Sequence, residues 1–192
     1  MNAIYLTLLA ATVTFNVPTE YRTVSGRMEK SSSLCTGVYI APDKVLTAGH
    51  CLDDVKGPIT LKTSDNKYDF AFVEKLNLAF DLGLLRTVHK HKGWVKLGQY
   101  PRIADTVYTV DSGNGVERTW NVGYVKNITK IDKDDKILLI FTSLLIRQGA
   151  SGSGLFNEKK ELIGINIIKE GVGSWAVNTS TIRKFLNVAK AN

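Results

Sequence analysis

The stretch Val45-Leu-Thr-Ala-Gly-His-Cys51 joins an apolar run of strand character to a single histidine and a cysteine. Phe80-Asp-Leu-Gly-Leu-Leu85 sets an aspartate among apolar residues, and Gln148-Gly-Ala-Ser-Gly-Ser-Gly154 surrounds a serine with glycines. A serine hydroxyl becomes a nucleophile when a positioned base takes its proton, and histidine suits that role near neutral pH. A buried carboxylate can hold the imidazole in the required tautomer. The candidate catalytic residues are therefore His50, Asp81 and Ser151.

The order of these residues along the chain narrows the choice of fold. No histidine follows Ser151, so the α/β-hydrolase order of serine, acid and histidine cannot be completed. The subtilisin order would need Asp43, which stands in a Pro-Asp-Lys turn. The order that remains is histidine, aspartate and serine, which is the chymotrypsin order.

Short strands are predicted along almost the whole chain. Each is apolar or alternating and is bounded by glycine, proline, aspartate or asparagine, a pattern typical of a β-barrel or sandwich. The predicted strands are 21–28, 34–40, 44–48, 58–63, 70–75, 82–88, 106–110, 119–128, 137–142, 154–157, 162–168 and 175–178. Asn114 and Gly115 favour a hairpin turn because both tolerate positive φ. A helix is predicted over 180–190, capped by Ser180 or Thr181.

Composition excludes several classes of protein. The 192 residues include 44% apolar side chains, which suits one globular domain or two small lobes sharing a core. No stretch reaches the roughly 18 apolar residues of a membrane-spanning helix, so no membrane partner is expected. The net charge is +7, but the basic residues are scattered and not interleaved with aromatic ones. We therefore expect no nucleic-acid partner.

The N-terminal segment leaves two interpretations open. Residues 3–15 are apolar and long enough for the core of a signal peptide. However, no lysine or arginine precedes them and three threonines interrupt them, and an additional β-strand is an equal alternative.

Taken together, the three motifs resemble those of trypsin/chymotrypsin-like serine proteases, with Gly49 where alanine is more usual. The stretch 149–186 is most similar to bacterial glutamyl endopeptidases. The resemblance implies an all-β, chymotrypsin-like fold: two six-stranded antiparallel β-barrels followed by a C-terminal helix. It places the peptidase domain at 20–192, with lobes at about 20–92 and 100–180, after an N-terminal segment 1–19.

The resemblance also implies the roles of individual residues. Ser151 would attack the peptide carbonyl, His50 would act as base and then acid, and Asp81 would orient His50. The N–H groups of Gly149 and Ser151 would form the oxyanion hole. The residues expected around the primary substrate pocket are Leu145, Ile146, Asn166 and Lys169.

None of the first three pocket residues carries a charge, so a preference for arginine or lysine is not supported, and charged side chains are expected to be disfavoured. Lys169 at the rim keeps a glutamyl preference open. Ala150 stands where animal zymogens carry an aspartate, so their activation switch is absent.

The expected activity is that of a serine endopeptidase acting on a protein or peptide substrate, as a monomer and without metal or organic cofactor. It would be active as encoded or after trimming before about Glu20. The alternative is a protease-like domain that has lost activity and serves as a binding module.

The two cysteines, Cys35 and Cys51, are 16 positions apart. The resemblance implies that they form a disulfide that holds the histidine loop. A reduced pair and a zinc site completed by His89 and His91 are alternatives. A disulfide favours a secreted or extracellular location, and a viral or phage origin remains open.

Overall fold

The computed structural model describes residues 3–22, 27–113, 118–131 and 137–187. The predicted turn at Asn114 and Gly115 and the last residues of the predicted C-terminal helix lie outside the described residues. Two α-helices occur in the described part, α1 (Ala3–Ala10) and α2 (Thr179–Leu186), together with a short 3-10 turn at Gly49–Cys51.

Twelve strands account for most of the remaining described chain. They are β1 (Thr12–Arg22), β2 (Met28–Ala41), β3 (Lys44–Ala48), β4 (Ile59–Lys62), β5 (Tyr68–Asn77), β6 (Leu82–Thr87), β7 (Thr106–Asp111), β8 (Thr119–Lys130), β9 (Leu138–Thr142), β10 (Gly154–Phe156), β11 (Leu162–Glu170) and β12 (Gly173–Asn178).

These strands close into two six-stranded antiparallel barrels. The first barrel has the order β1-β2-β3-β6-β5-β4, with β1 also paired to β4. The second has the order β10-β11-β12-β9-β8-β7, with β10 paired to β7. Closure leaves neither barrel with a free edge strand. The predicted double barrel with a C-terminal helix is confirmed.

Each barrel has its own apolar core, and a third apolar cluster joins the two. The cluster between the barrels contains Leu46 of β3, Val110 of β7 and Phe185 of α2, all buried. Leu8 of α1 is also part of it and is fully buried. Helix α1 therefore contributes to the apolar contact between the two lobes.

The N-terminal segment differs from its prediction. Residues 3–10 form a helix, and the strand begins at Thr12 as a full member of the first barrel. Thr12, Val13, Thr14, Phe15 and Val17 are buried and Asn16 is exposed, so burial alternates only over 15–18, well after the helix. The first barrel thus begins before residue 20, where we had placed its start.

Two other boundaries change. Of the strand predicted at 21–28, the first two residues end β1 and Met28 begins β2, which pairs antiparallel with β1, while 23–26 lie outside the described residues. Helix α2 is capped by Asn178, whose side-chain oxygen accepts a hydrogen bond from the N–H of Ser180 at 2.8 Å. Thr181 instead accepts from the N–H of Leu138 at 2.9 Å. The helix stops at Asn187, which has the left-handed φ of 58° common at such ends.

Candidate active site

Strand pairing in the first barrel brings His50 and Asp81 together. Strand β3 pairs with β6, and Ala48 lies opposite Leu82. His50 follows the end of β3 in the 3-10 turn, and Asp81 directly precedes β6. Two residues far apart in sequence are therefore neighbours at one end of a β-ladder.

The imidazole of His50 is held by the carboxylate of Asp81. Nδ1 of His50 lies 3.0 Å from both Oδ1 and Oδ2 of Asp81, and the backbone N–H of His50 donates to Oδ1 at 2.8 Å. The hydrogen bond with Asp81 raises the pKa of His50, although burial opposes the shift. With Nδ1 donating to the carboxylate, Nε2 of the neutral ring is left as an acceptor.

The glycine at position 49 is explained by a close backbone approach. A Cβ at Gly49 would lie 2.8 Å from the N of Leu82 and 3.0 Å from the C of Asp81. Asp81 itself has a positive φ of 50°, which turns its backbone into the left-handed region. Glycine in place of the more usual alanine at position 49 therefore leaves room for the backbone of Asp81.

Ser151 lies in a glycine-rich turn of the second barrel that packs directly against the first. The N–H of Thr36 in β2 donates to the carbonyl of Ser151 at 2.9 Å, and the hydroxyl of Thr36 donates to the carbonyl of Gly149 at 2.8 Å. A Cβ at Gly152 would lie 2.1 Å from the carbonyl oxygen of Thr36 and the hydroxyl of Thr47. Only glycine fits there, so the serine turn lies against the strand that leads to His50.

The hydroxyl of Ser151 donates to the carbonyl of Ile167 in β11 at 3.4 Å. The carbonyl oxygen of Ser151 lies 3.9 Å from Sγ of Cys51, the residue after His50. The turn is therefore beside the histidine loop, while the hydroxyl itself is directed toward β11.

The backbone of the turn leaves two N–H groups free. The N–H groups of Ala150, Gly152 and Ser153 donate to carbonyl oxygens within the protein. Those of Gly149 and Ser151 donate to no group in the part of the chain that the structure describes. Gly149 has a φ of 96°, a conformation that glycine adopts readily.

Three of the four predicted pocket residues lie together. Leu145, Ile146 and Lys169 line a cavity of about 370 Å³. The other lining residues are Asp111, Thr119, Asn121 and Arg147. Asp111 and Arg147 give this cavity charged groups besides Lys169, which the sequence did not predict. Burial raises the pKa of Asp111, whose carboxylate accepts from Asn121 at 3.0 Å and from the N–H of Gly113 at 2.9 Å.

Asn166, the fourth predicted pocket residue, lies elsewhere. Its side chain is fully buried, and its amide donates to the hydroxyls of Ser153 at 3.0 Å and Thr109 at 3.2 Å. It is absent from the lining of the cavity. The family resemblance placed this side chain on the wall of the pocket, whereas here it is directed into the interior; the bulge of β11 follows, between Asn166 and Ile168.

The predicted disulfide between Cys35 and Cys51 is confirmed. The zinc alternative is wrong, because both cysteines are in this bond. His89 instead pairs with Asp69, with Nδ1 2.8 Å from Oδ1, and the ring of His91 stacks on Tyr39 with 4.4 Å between centroids. Across the described residues, no group of histidine, cysteine and acidic side chains is arranged to hold a metal ion.

Comparison with known proteins is consistent with this arrangement. The family described as "Trypsin-like peptidase domain" matches residues 35–165. The chain belongs to the trypsin-like peptidase family. This trypsin-like domain is 29% identical over 155 residues to a probable periplasmic serine endoprotease, DegP-like, from Ectopseudomonas mendocina. It is 30% identical over 156 residues to a protein of the same description from Pseudomonas putida strain F1. Each match covers 79% of this chain but 32% of the relative.

A serine endoprotease from Yersinia pestis has a similar crystal structure, with a TM-score of 0.78 and 20% identity. The match covers 96% of this trypsin-like chain and 64% of the other, and it indicates a shared fold. These relatives are bacterial, so a viral origin is not supported. Neither of the helices in the described ranges has the length and apolar character needed to span a membrane.

Proposed function

We propose that this chain is a serine endopeptidase in which His50, Asp81 and Ser151 form the catalytic triad. The observation that carries the proposal is the His50–Asp81 geometry, with Nδ1 3.0 Å from both carboxylate oxygens beside the serine turn of the second barrel. The motif order supports it, and so do the relatives described as serine endoproteases.

In the proposed mechanism, the hydroxyl of Ser151 leaves the carbonyl of Ile167 and donates to Nε2 of His50. Ser151 attacks the peptide carbonyl as Nε2 takes its proton, and His50 then gives that proton to the departing amine. Water, activated by the same imidazole, releases the acyl group and restores Ser151. Asp81 keeps Nδ1 protonated and stabilises the imidazolium that forms.

The N–H groups of Gly149 and Ser151 would bind the oxyanion of the tetrahedral intermediate. Two features support this role: neither group has a partner in the described part of the chain, and both belong to the turn that carries the nucleophile. One such donor typically contributes about 2.7–4 kcal/mol to stabilisation of the transition state.

The 370 Å³ cavity is the proposed primary pocket for the side chain on the acyl side of the cut. Its carboxylate, Asp111, is already hydrogen-bonded and buried, while Arg147 and Lys169 are exposed. Neutral or acidic side chains should therefore be preferred over basic ones, which keeps the glutamyl preference open. Dominant cleavage of a peptide library after arginine or lysine would contradict this pocket.

The substrate would be a protein or peptide, met outside the cytoplasm. The disulfide and the periplasmic description of the relatives support that location. Because the chain spans about 32% of the length of those relatives, their other segments have no counterpart in this comparison. We propose that the domain acts as a monomer.

A catalytically silent binding module is the second candidate. It is favoured by one observation: the hydroxyl of Ser151 donates to Ile167 and not to His50.

Labelling with an active-site fluorophosphonate separates the two candidates. We expect the wild-type chain to be labelled and to cleave peptides, and we expect Ser151→Ala and His50→Ala to do neither. His89→Ala is the matched control, because His89 also pairs with an aspartate but lies away from the serine turn. A folded wild-type chain that is neither labelled nor active would establish the silent module.

A further inference from the structure

A large groove begins at the proposed oxyanion hole and extends away from the primary pocket. Its volume is about 1420 Å³, and its lining includes Gly149 and Gln148 of the serine turn. Residues 54–60, the segment that follows the histidine turn, also line it, together with residues of α1, β1 and β2. The groove therefore adjoins both the serine turn and the segment after the histidine turn.

The groove lies on the leaving-group side of the cut if the 370 Å³ cavity takes the acyl side. The two spaces have no lining residue in common, and the neighbouring residues Arg147 and Gln148 line different ones. A peptide whose carbonyl oxygen is bound at Gly149 has one end in each space. The chain after the scissile bond would then lie in the groove.

The charged side chains of the groove are mostly cationic. Arg118, Lys56 and Lys62 line it, against a single lining carboxylate in the described residues, that of Asp54. A groove of this composition attracts carboxylate groups, with an effect that weakens as salt increases.

Arg118 is the cation whose environment most favours such a ligand. Its side chain is half-buried, and a terminal nitrogen donates to the carbonyl of Lys62 at 2.8 Å. Its Nε is buried and has no hydrogen-bond partner among the described residues. Burial lowers the pKa of Arg118, so the charge is desolvated. Asp65 is the carboxylate that acts on the charge of Arg118. It already forms a salt bridge with Lys67 at 2.7 Å and accepts a hydrogen bond from the hydroxyl of Thr63 at 2.5 Å.

We propose that Arg118 binds a carboxylate of the substrate on the leaving-group side of the scissile bond. This inference rests on the proposed endopeptidase function and names one determinant of its specificity. The carboxylate could belong to an acidic side chain or to the C-terminus of a short peptide, because a guanidinium recognises both in the same bidentate way.

The test uses three quenched fluorescent peptides with the same acyl-side sequence, chosen as one that the wild-type chain cleaves. The first carries glutamate after the cut with an amidated C-terminus, and the second carries glutamine in that place. The third carries glutamine and a free C-terminal carboxylate close to the cut. We expect kcat/KM to be about tenfold higher for whichever carboxylate peptide fits, relative to the amidated glutamine peptide.

Arg118→Gln should remove this preference, so that kcat/KM becomes the same for the carboxylate peptides and the amidated glutamine peptide. Arg118→Lys should retain part of the preference, since it keeps the charge without the guanidinium fork. Arg102→Gln, an exposed cation outside the groove lining, is the matched control and should behave as wild type.

The two proposals fail in different ways. If no peptide is cleaved, the endopeptidase function is wrong. If the wild-type chain cleaves all three peptides equally, or if Arg118→Gln keeps the full preference, the role of Arg118 is overturned. Should Arg118→Gln not fold, Arg118→Lys decides the matter: a partial loss of the preference supports the role of Arg118, and an undiminished preference overturns it.

Discussion

Helix α1 offers a direct test of how the two barrels are held together. Leu8 is fully buried in the apolar cluster between them, whereas Leu6 in the same helix is 48% exposed. Leu8→Ala and Leu6→Ala therefore make the same chemical change at a buried and at an exposed position of one helix.

The expected effects differ several-fold. Truncating a fully buried leucine costs about 2–5 kcal/mol, from lost burial and from the cavity left behind. Taking about 3 kcal/mol for Leu8, the melting temperature should fall by roughly 6–12 °C for a domain of this size. Leu6→Ala should change the free energy of unfolding by less than about 0.5 kcal/mol.

Removal of residues 1–19 should have a larger effect. It takes away Leu8 together with three buried apolar residues of β1, namely Val13, Phe15 and Val17. At about 1.5–3 kcal/mol for each buried side chain, the loss is about 6–12 kcal/mol. Because the net stability of a domain is usually about 5–15 kcal/mol, a chain that begins at Glu20 should not remain folded.

Thermal unfolding followed by circular dichroism measures these effects, and mass spectrometry of the active protein identifies its first residue. A Leu8→Ala variant with the melting temperature of wild type would refute the role of α1 between the barrels. A cooperative and active chain beginning at Glu20 would show that the signal-peptide interpretation is right and that β1 is dispensable.

Two further predictions concern the site. Asp81→Asn should slow turnover by roughly ten-thousandfold, because it favours the wrong imidazole tautomer of His50. Asp69→Asn should leave turnover near that of wild type. Comparable losses of turnover in the two variants would contradict the assignment of Asp81 to the triad. Because Asp81 raises the pKa of His50, and the base works only when neutral, activity should rise with pH through that pKa, and the acidic limb of the Asp81→Asn profile should move to lower pH. Reduction of the Cys35–Cys51 bond should lower stability by about 3 kcal/mol, measured as a fall in melting temperature; an unchanged melting temperature after complete reduction would argue against that contribution.

The elements that could be predicted from sequence are those with local signals. The motifs around His50, Asp81 and Ser151 each combine a reactive residue with neighbours suited to it, and their order along the chain excludes other folds. The strands of both barrels carry apolar alternation and end in turn residues. These signals indicated a β-barrel or sandwich, and the resemblance of the three motifs to those of trypsin/chymotrypsin-like proteases indicated the double barrel.

What the sequence could not reveal depends on contacts between distant segments. Helix α1 has no alternation and no charge, so its apolar residues could equally have belonged to a strand or a signal peptide. Asn166 was placed in the pocket by its position in the family pattern, and its side chain instead donates hydrogen bonds to Ser153 and Thr109 in the interior. Asp111 lies far from Arg147 in sequence, and only the closure of the second barrel brings both to one cavity.

The serine turn depends on the first barrel for its conformation. Thr36 anchors it through both its N–H and its hydroxyl, and Ala150 is fully buried where animal zymogens carry an aspartate. The Cys35–Cys51 bond joins the residue before Thr36 to the residue after His50, so it fixes the anchor and the proposed base relative to each other. Since the anchor and the serine belong to different barrels, any change that loosens the contact between barrels should also displace the turn. The stability of the inter-barrel contact, including Leu8, is therefore coupled to the geometry of the proposed oxyanion hole.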